Sequence, residues 1–239
     1  MKTSCAFSVL LAASAYVIEA LTAPPPIAGP PAASFAADPL INVAGIYAAA
    51  HSSKTKVLAS YPINSARKII SSIYGDWQNL SGVSAFHFIA DMDTDCDGTK
   101  VRRKTGNRDG QTETSFGALD ATRVPYFVLP ERFTVQYKSI LKGNALGAII
   151  CDGKMLYGIY GDQDADSPQL IGEASIVMGQ TCFPGTLIDG ANGHAENDVA
   201  YIVFGSQVPP GISKNNIDLH ALKDLGDAQM KLLQNALGL

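Results

Sequence analysis

No CxxC pair, no HExxH or HxH spacing and no GxSxG elbow occurs in the 239 residues. The first two absences remove the usual frames for zinc. The third removes the strained turn that presents a nucleophilic serine. Cysteine is scarce, four in all, and Cys96, Cys151 and Cys182 are too far apart in sequence to suggest a chelate. In an exported chain two of these three can form a disulfide and leave one thiol, but spacing does not choose the pair. Beyond the N-terminal stretch no apolar run approaches the roughly 20 residues of a membrane helix. The net charge is −4, and its acid is clustered, which repels nucleic acid and anionic membrane. Neither is expected as a partner.

Behind Lys2, AFSVLLAASAYVI (6–18) has the length of a signal-peptide core. Residues 1–20 are therefore expected to be a signal peptide cut after Ala20, and the protein to be secreted and extracellular. Residues 21–39 contain APPPIAGPPAASFAADP. Its prolines fix φ and remove donors, so an arm or propeptide outside any core is expected. Residues 40–239 remain as one domain, long enough to bury a core. Asn79-Leu-Ser81 is an acceptor for N-glycosylation and predicts a surface position.

VSAFHFIA (83–90), PYFVLP (125–130), FTVQY (133–137), LGAIIC (146–151), MLYGIY (155–160) and VAYIVF (199–204) read as strands. CDGK (151–154) reads as a tight hairpin turn, because Asp-Gly tolerates positive φ. SARKIISSIY (65–74) reads as a short amphipathic helix capped by Asn64, and EASIVMG (173–179) as another. A longer helix is expected over 216–237, with Leu219, Leu222, Leu225, Leu232, Leu233 and Ala236 roughly on one face and Gly226 weakening it. The fold expected is mainly β with a few helices (α+β), a barrel or sandwich with the C-terminal helix packed on it.

Two acidic stretches stand out. DMDTDCDG (91–98) carries four aspartates, and 152–173 carries Asp152, Asp162, Asp164, Asp166 and Glu173 against Lys154 alone. DTDCDG has the first half of an EF-hand loop, but Lys104 stands at the twelfth position where a bidentate Glu is needed. A looser calcium-dependent structural domain is left as one reading, and a surface for a cationic substrate as another. In 155–173 a strand ends at Gly161-Asp162, and Gly172-Glu173 follows after a loop. Such an arrangement can hold two carboxylates across a cleft, as glycosidic hydrolysis with inversion requires. The plainer alternative is that Asp162 caps a turn and Glu173 stabilises a helix N-terminus. His194 lies among turn residues and lines the cleft in the first reading.

Taken in order, DMDTDCDG (91–98), VPYFVLP (124–130), YGIYGD (157–162), IGEAS (171–175), CFP (182–184) and GHAENDVAYIVFG (193–205) resemble the fungal chitosanases of glycoside hydrolase family 75. The resemblance implies a secreted enzyme that hydrolyses internal β-1,4 bonds of chitosan with inversion, chemistry that needs no metal or organic cofactor; a monomer is expected. It carries the family's essential Asp onto Asp162 and its essential Glu onto Glu173, with Glu173 the general acid, Asp162 the base and Asp164 the competitor for the Asp role. It gives Asp91, Asp93, Asp95 and Asp97 either a substrate-binding or a fold-supporting role without separating the two. Asp164 and, from its place in a turn-rich loop, His194 are further substrate-binding candidates, with a plain turn the alternative for His194. The order of strand, acidic loop and small-residue helix is similar to double-psi β-barrels of some cellulases and expansin-like proteins. A competing reading on the same barrel is a non-catalytic polysaccharide- or wall-binding protein. Such a protein needs a flat aromatic strip, and Trp77 is the sole tryptophan.

Overall fold

A computed structural model describes residues 29–66, 69–98, 113–212 and 217–239. The expected signal peptide, the first part of the Pro/Ala-rich stretch and Lys104 lie outside these residues. Along the chain the elements are α1 (Val43–Ser52), β1 (Val57–Pro62), β2 (Ile70–Tyr74), β3 (Phe86–Asp95), β4 (Tyr126–Pro130), α2 (Glu131–Gln136), β5 (Leu146–Cys151), β6 (Lys154–Asp164), β7 (Glu173–Ser175), α3 (Ile176–Cys182), β8 (His194–Phe204) and α4 (Leu219–Leu237).

Six strands close into a barrel in the order β3-β7-β4-β6-β5-β8, with β8 returning to β3. Two neighbouring pairs, β3–β7 and β4–β6, are parallel. Parallel neighbours need long crossovers, here β4 to β6 by way of α2 and β5, and β3 to β7 across the chain's middle. The β1–β2 hairpin continues the sheet beyond β3. The expected barrel with a packed C-terminal helix is the observed architecture.

Sequence and fold agree most closely where one local pattern decides the outcome. The run LGAIIC is buried at every position of β5, as are Met155 to Gly161 of β6. One face fills the barrel and the other lies under α4, so an unbroken apolar run replaces alternation. Between them Asp152 and Gly153 adopt φ of 47° and 70°, the backbone that a two-residue hairpin demands.

Helix α4 starts at Asp218, whose side chain accepts from Ala221 N–H, and ends at Gly238 with φ 73°. Its buried face is Leu222, Gly226, Met230 and Leu233, while Leu232 is 43% exposed. Gly226 is no weak point. A Cβ there would sit 2.5 Å from Tyr157 Cγ, so the missing side chain is what lets the helix lie on the β6 ring. Tyr157 also donates its hydroxyl to Asp227 Oδ1 at 2.8 Å. Gly226→Ala is expected to lower the melting temperature despite alanine's better helix propensity. Overpacking costs about 1–3 kcal/mol, against about 1 kcal/mol gained in propensity. A thermal melt showing stabilisation would refute this.

Four local expectations are corrected. Residues 133–137 are not a strand: Pro130, with φ −58°, precedes α2, which buries Phe133 against Phe86 and leaves Val135 outside. Residues 70–74 are a strand, not a helix, because Ser71 and Ile73 turn to the same buried side at a period of two. Glu173, Ala174 and Ser175 form β7, wedged between β3 and β4, and the helix begins only at Ile176. The Pro/Ala-rich stretch reaches the core at its end. Phe35 is fully buried, Tyr157 N–H donates to Phe35 O at 2.7 Å, and Ala37 N–H donates to Met155 O at 2.9 Å. Proline excludes ladder pairing only where it stands, and no proline falls at 32–38.

The disulfide is Cys151–Cys182, joining the end of β5 to the end of α3, while Cys96 is buried. Asn79 is exposed, as a glycan acceptor requires. Trp77 is 1% exposed and packs on His87 at 4.0 Å between ring centroids, so it contributes nothing to a surface aromatic strip. No described helix is long and apolar enough to cross a membrane.

Candidate active site

Strand β3 does not end at the acidic run but carries it. Asp91, Asp93 and Asp95 alternate with Met92 and Thr94, so the three carboxylates share one face. Asp93 is exposed, whereas Asp91 and Asp95 are each 4% exposed and Asp97 is 7%. β7 lies beside β3 in parallel with Asp93 opposite Glu173, which sets Glu173 on the same face. On the other side of β7, Ala174 pairs with Phe127 of β4, and Val128 of β4 pairs with Asp162 of β6. Asp162 and Glu173 thus stand two strands apart with β4 between them, a Cα separation of roughly 9–10 Å at ordinary strand spacing. Four elements that are distant in sequence bring one acidic cluster together.

The hydrogen bonds to these carboxylates are unequal. Asp162 is 9% exposed, and its Oδ1 accepts from Ser115 N–H at 2.8 Å, Ser115 Oγ–H at 2.7 Å and Gln163 N–H at 2.7 Å. That oxygen is fully engaged and fixes the orientation of the group. Asp95 accepts from Tyr126 O–H at 2.9 Å and from Asp97 N–H at 2.7 Å. Glu173 accepts from no donor among the described residues. Burial pushes its carboxyl well above the ordinary glutamate range, and the negative charges of Asp95, Asp164, Asp93 and Asp162 push the same way. Burial and then Asp97 raise Asp95 to about 7. Burial, with Asp93 second, raises Asp91 to about 8.

Gly172 acts from behind Glu173. Its φ is 108°, and a Cβ there would lie 2.4 Å from Asp91 Oδ1 and 2.8 Å from Ala90 Cβ. Its carbonyl accepts from Asp93 N–H at 2.7 Å. Gly161 serves Tyr126 in the same manner, since a Cβ would meet that side chain at 2.7 Å. Both glycines permit close packing under the carboxylates.

Asp164 holds its own loop: Oδ1 accepts from Asp166 N–H at 2.8 Å and Oδ2 from Leu170 N–H. His194 does not join the cluster. As the first residue of β8 it pairs with Met92, which puts it on the face opposite to Asp91 and Asp93. There it stacks on Phe183 at 3.8 Å and contacts Asp198 at 2.7 Å and Glu196 at 3.3 Å. Ser115 and Tyr126 were missed from sequence. Ser115 sits in an unpatterned loop, and Tyr126 is hidden in an apolar strand whose only hint is a polar tip needing a partner.

Carboxylate oxygens of Asp95, Asp97 and Asp162 lie within 4.8 Å of one another. A trio of aspartates is not by itself a metal site, and protein N–H and O–H groups already occupy both oxygens of Asp95 and one oxygen of Asp162. A depression of about 290 Å³ lined by Val43, Tyr47, Ile150, Asp152 and Asp198 lies beside α1, with none of these carboxylates in its wall. Its chemistry is poorer than that of the acidic face, because Lys154 already neutralises Asp152 at 2.9 Å.

Comparison with known proteins matches residues 92–236 to a family described as fungal chitosanase of glycosyl hydrolase group 75. The chain is 47% identical over 220 residues to a protein named endo-chitosanase C from Aspergillus oryzae, covering 90% of this chain and 57% of that protein. An endo-chitosanase B from Aspergillus oryzae is 37% identical over 140 residues, 52% of this chain and 57% of its own. An endo-chitosanase from Aspergillus fumigatus is 33% identical over 160 residues, 60% of this chain and 66% of its own. The chain thus spans little more than half the length of the first of these relatives.

Proposed function

The chain belongs to the fungal chitosanases of glycosyl hydrolase group 75, and from that premise we propose that it is a secreted endo-acting hydrolase of β-1,4 bonds in chitosan, working with inversion. Glu173 is the general acid and Asp162 the general base. The observation that carries the assignment is the inequality of their surroundings. Asp162 is oriented by three donors on one oxygen, while Glu173 has none among the described residues and holds its proton against neighbouring charge.

In the reaction Glu173 gives its proton to the glycosidic oxygen as the bond to C1 breaks. A water enters from the opposite face of the sugar, attacks C1 and yields its proton to Asp162. Inversion needs room for that water, with carboxyl groups roughly 6.5–9.5 Å apart. Two strand spacings suit this range better than adjacent strands would. A helix N-terminus would favour a charged carboxylate, but Glu173 stands on a strand before the helix. Exposed Asp93 next to Glu173 is the ammonium contact for a glucosamine unit. Secretion rests on the signal-like N-terminus.

Incubating the purified protein with chitosan tests this reading directly. Viscosity is expected to fall before many reducing ends accumulate, and new ends are expected first as the α-anomer by proton NMR. Absence of new reducing ends would sink the activity, and β-anomers would sink the inverting mechanism alone.

A further inference from the structure

The proposed pair has a third carboxylate beside it. Asp95, the last residue of β3, is 4% exposed. Its neighbours come from every strand around it: Asp97 just past its own strand, Tyr126 from β4, Asp162 from β6 and Glu173 from β7. None of these is cationic. We propose that Asp95 is a positioning residue for hydrolysis: it accepts the negative charge when the cluster loses a proton, and so keeps the general-acid proton on Glu173. This rests on the reading of Glu173 as the acid.

The geometry sets the direction. Tyr126 O–H and Asp97 N–H both donate to Asp95, and donors favour the charged form of a carboxyl. Glu173 receives no such help among the described residues. When the two groups together give up one proton, it therefore leaves from Asp95. The charge left behind strengthens the hold of Glu173 on the other proton, since like charges in one site push apart the two steps in which a pair titrates. Burial raises both groups, Asp95 to about 7, and among the charges around Glu173 that of Asp95 acts most strongly.

The test is kcat against pH for Asp95→Asn and Tyr126→Phe on a soluble glucosamine hexamer, which avoids the poor solubility of the polymer. Without the Asp95 charge, Glu173 loses its proton earlier as pH rises. The alkaline limb of kcat should then move to lower pH by roughly one unit or more, with KM little changed. Tyr126→Phe removes a donor from Asp95, makes that residue a poorer holder of charge, and should move the limb the same way by less. An unmoved limb in Asp95→Asn, with a KM rise that high salt abolishes, would make Asp95 an ammonium contact and overturn the proposal. Should Asp95→Asn fail to fold, an unmoved limb in Tyr126→Phe overturns it equally. Glu173→Gln is run alongside. If it keeps full turnover, the acid assignment itself has failed. If it is inactive while both other variants match the wild type, only the role of Asp95 has failed.

Discussion

Glu173→Gln and Asp162→Asn should each lower kcat on chitosan by at least about 100-fold, because a general acid or base typically contributes about 10²–10⁴-fold. Both substitutions keep size and most hydrogen-bonding capacity but cannot move a proton. The melting temperature separates this from a structural role. Glu173 has no hydrogen bond to lose among the described residues and already carries its proton in the proposed resting state, so Glu173→Gln should leave stability unchanged. In Asp162→Asn the new amide oxygen can still accept the bonds from Ser115 and Gln163. Asp164→Asn is the contrasting case. It removes one of two acceptors that hold the 164–170 loop, so it should cost about 1 kcal/mol of stability with kcat largely kept. If Asp164→Asn is the inactive variant and Asp162→Asn is not, the base has been placed on the wrong aspartate of β6.

Gly172→Ala should damage both stability and turnover. At φ 108° a side chain is strained whatever the space, at about 1–3 kcal/mol. The added methyl also has nowhere to go, with Asp91 Oδ1 at 2.4 Å, Ala90 Cβ at 2.8 Å and Asp91 O at 3.0 Å. Overpacking of this kind adds about 1–3 kcal/mol, so a total of about 2–6 kcal/mol is expected. Relief by backbone movement shifts Glu173, the next residue, and kcat falls with it. Gly82→Ala provides the comparison, since its φ is 76° but nothing lies within 4 Å; strain acts there without crowding. Adding Asp91→Ala to Gly172→Ala should recover part of the loss, because the two sites share a contact. Equal melting temperatures for Gly172→Ala and Gly82→Ala would show that the packing on Asp91 contributes nothing.

The sequence by itself determined the elements whose cause is local. Apolar runs long enough for a strand became β3, β4, β5, β6 and β8. Asp152-Gly153 became the turn that its φ tolerance allows, and the last amphipathic stretch became α4. The candidate carboxylates were also legible, because four aspartates in eight residues and the Asp162–Glu173 stretch are visible without coordinates. Local patterns failed where burial came from elsewhere. FTVQY alternates like a strand, yet its Phe133 was claimed by Phe86 of β3; ISSIY looks helical, yet Ser71 is bound to Ile89 O across strands. Only the tertiary structure decided that Cys151 meets Cys182, that His194 faces away from the acidic cluster, and that Asp95 is buried while Asp93 is open. It alone decided that Asp162 has three donors and Glu173 none among the described residues. The physical reason is the range of the forces involved: turn and strand preferences act within a few residues, whereas desolvation and charge act through space, here among β3, β6 and β7, whose carboxylates lie up to about 80 residues apart.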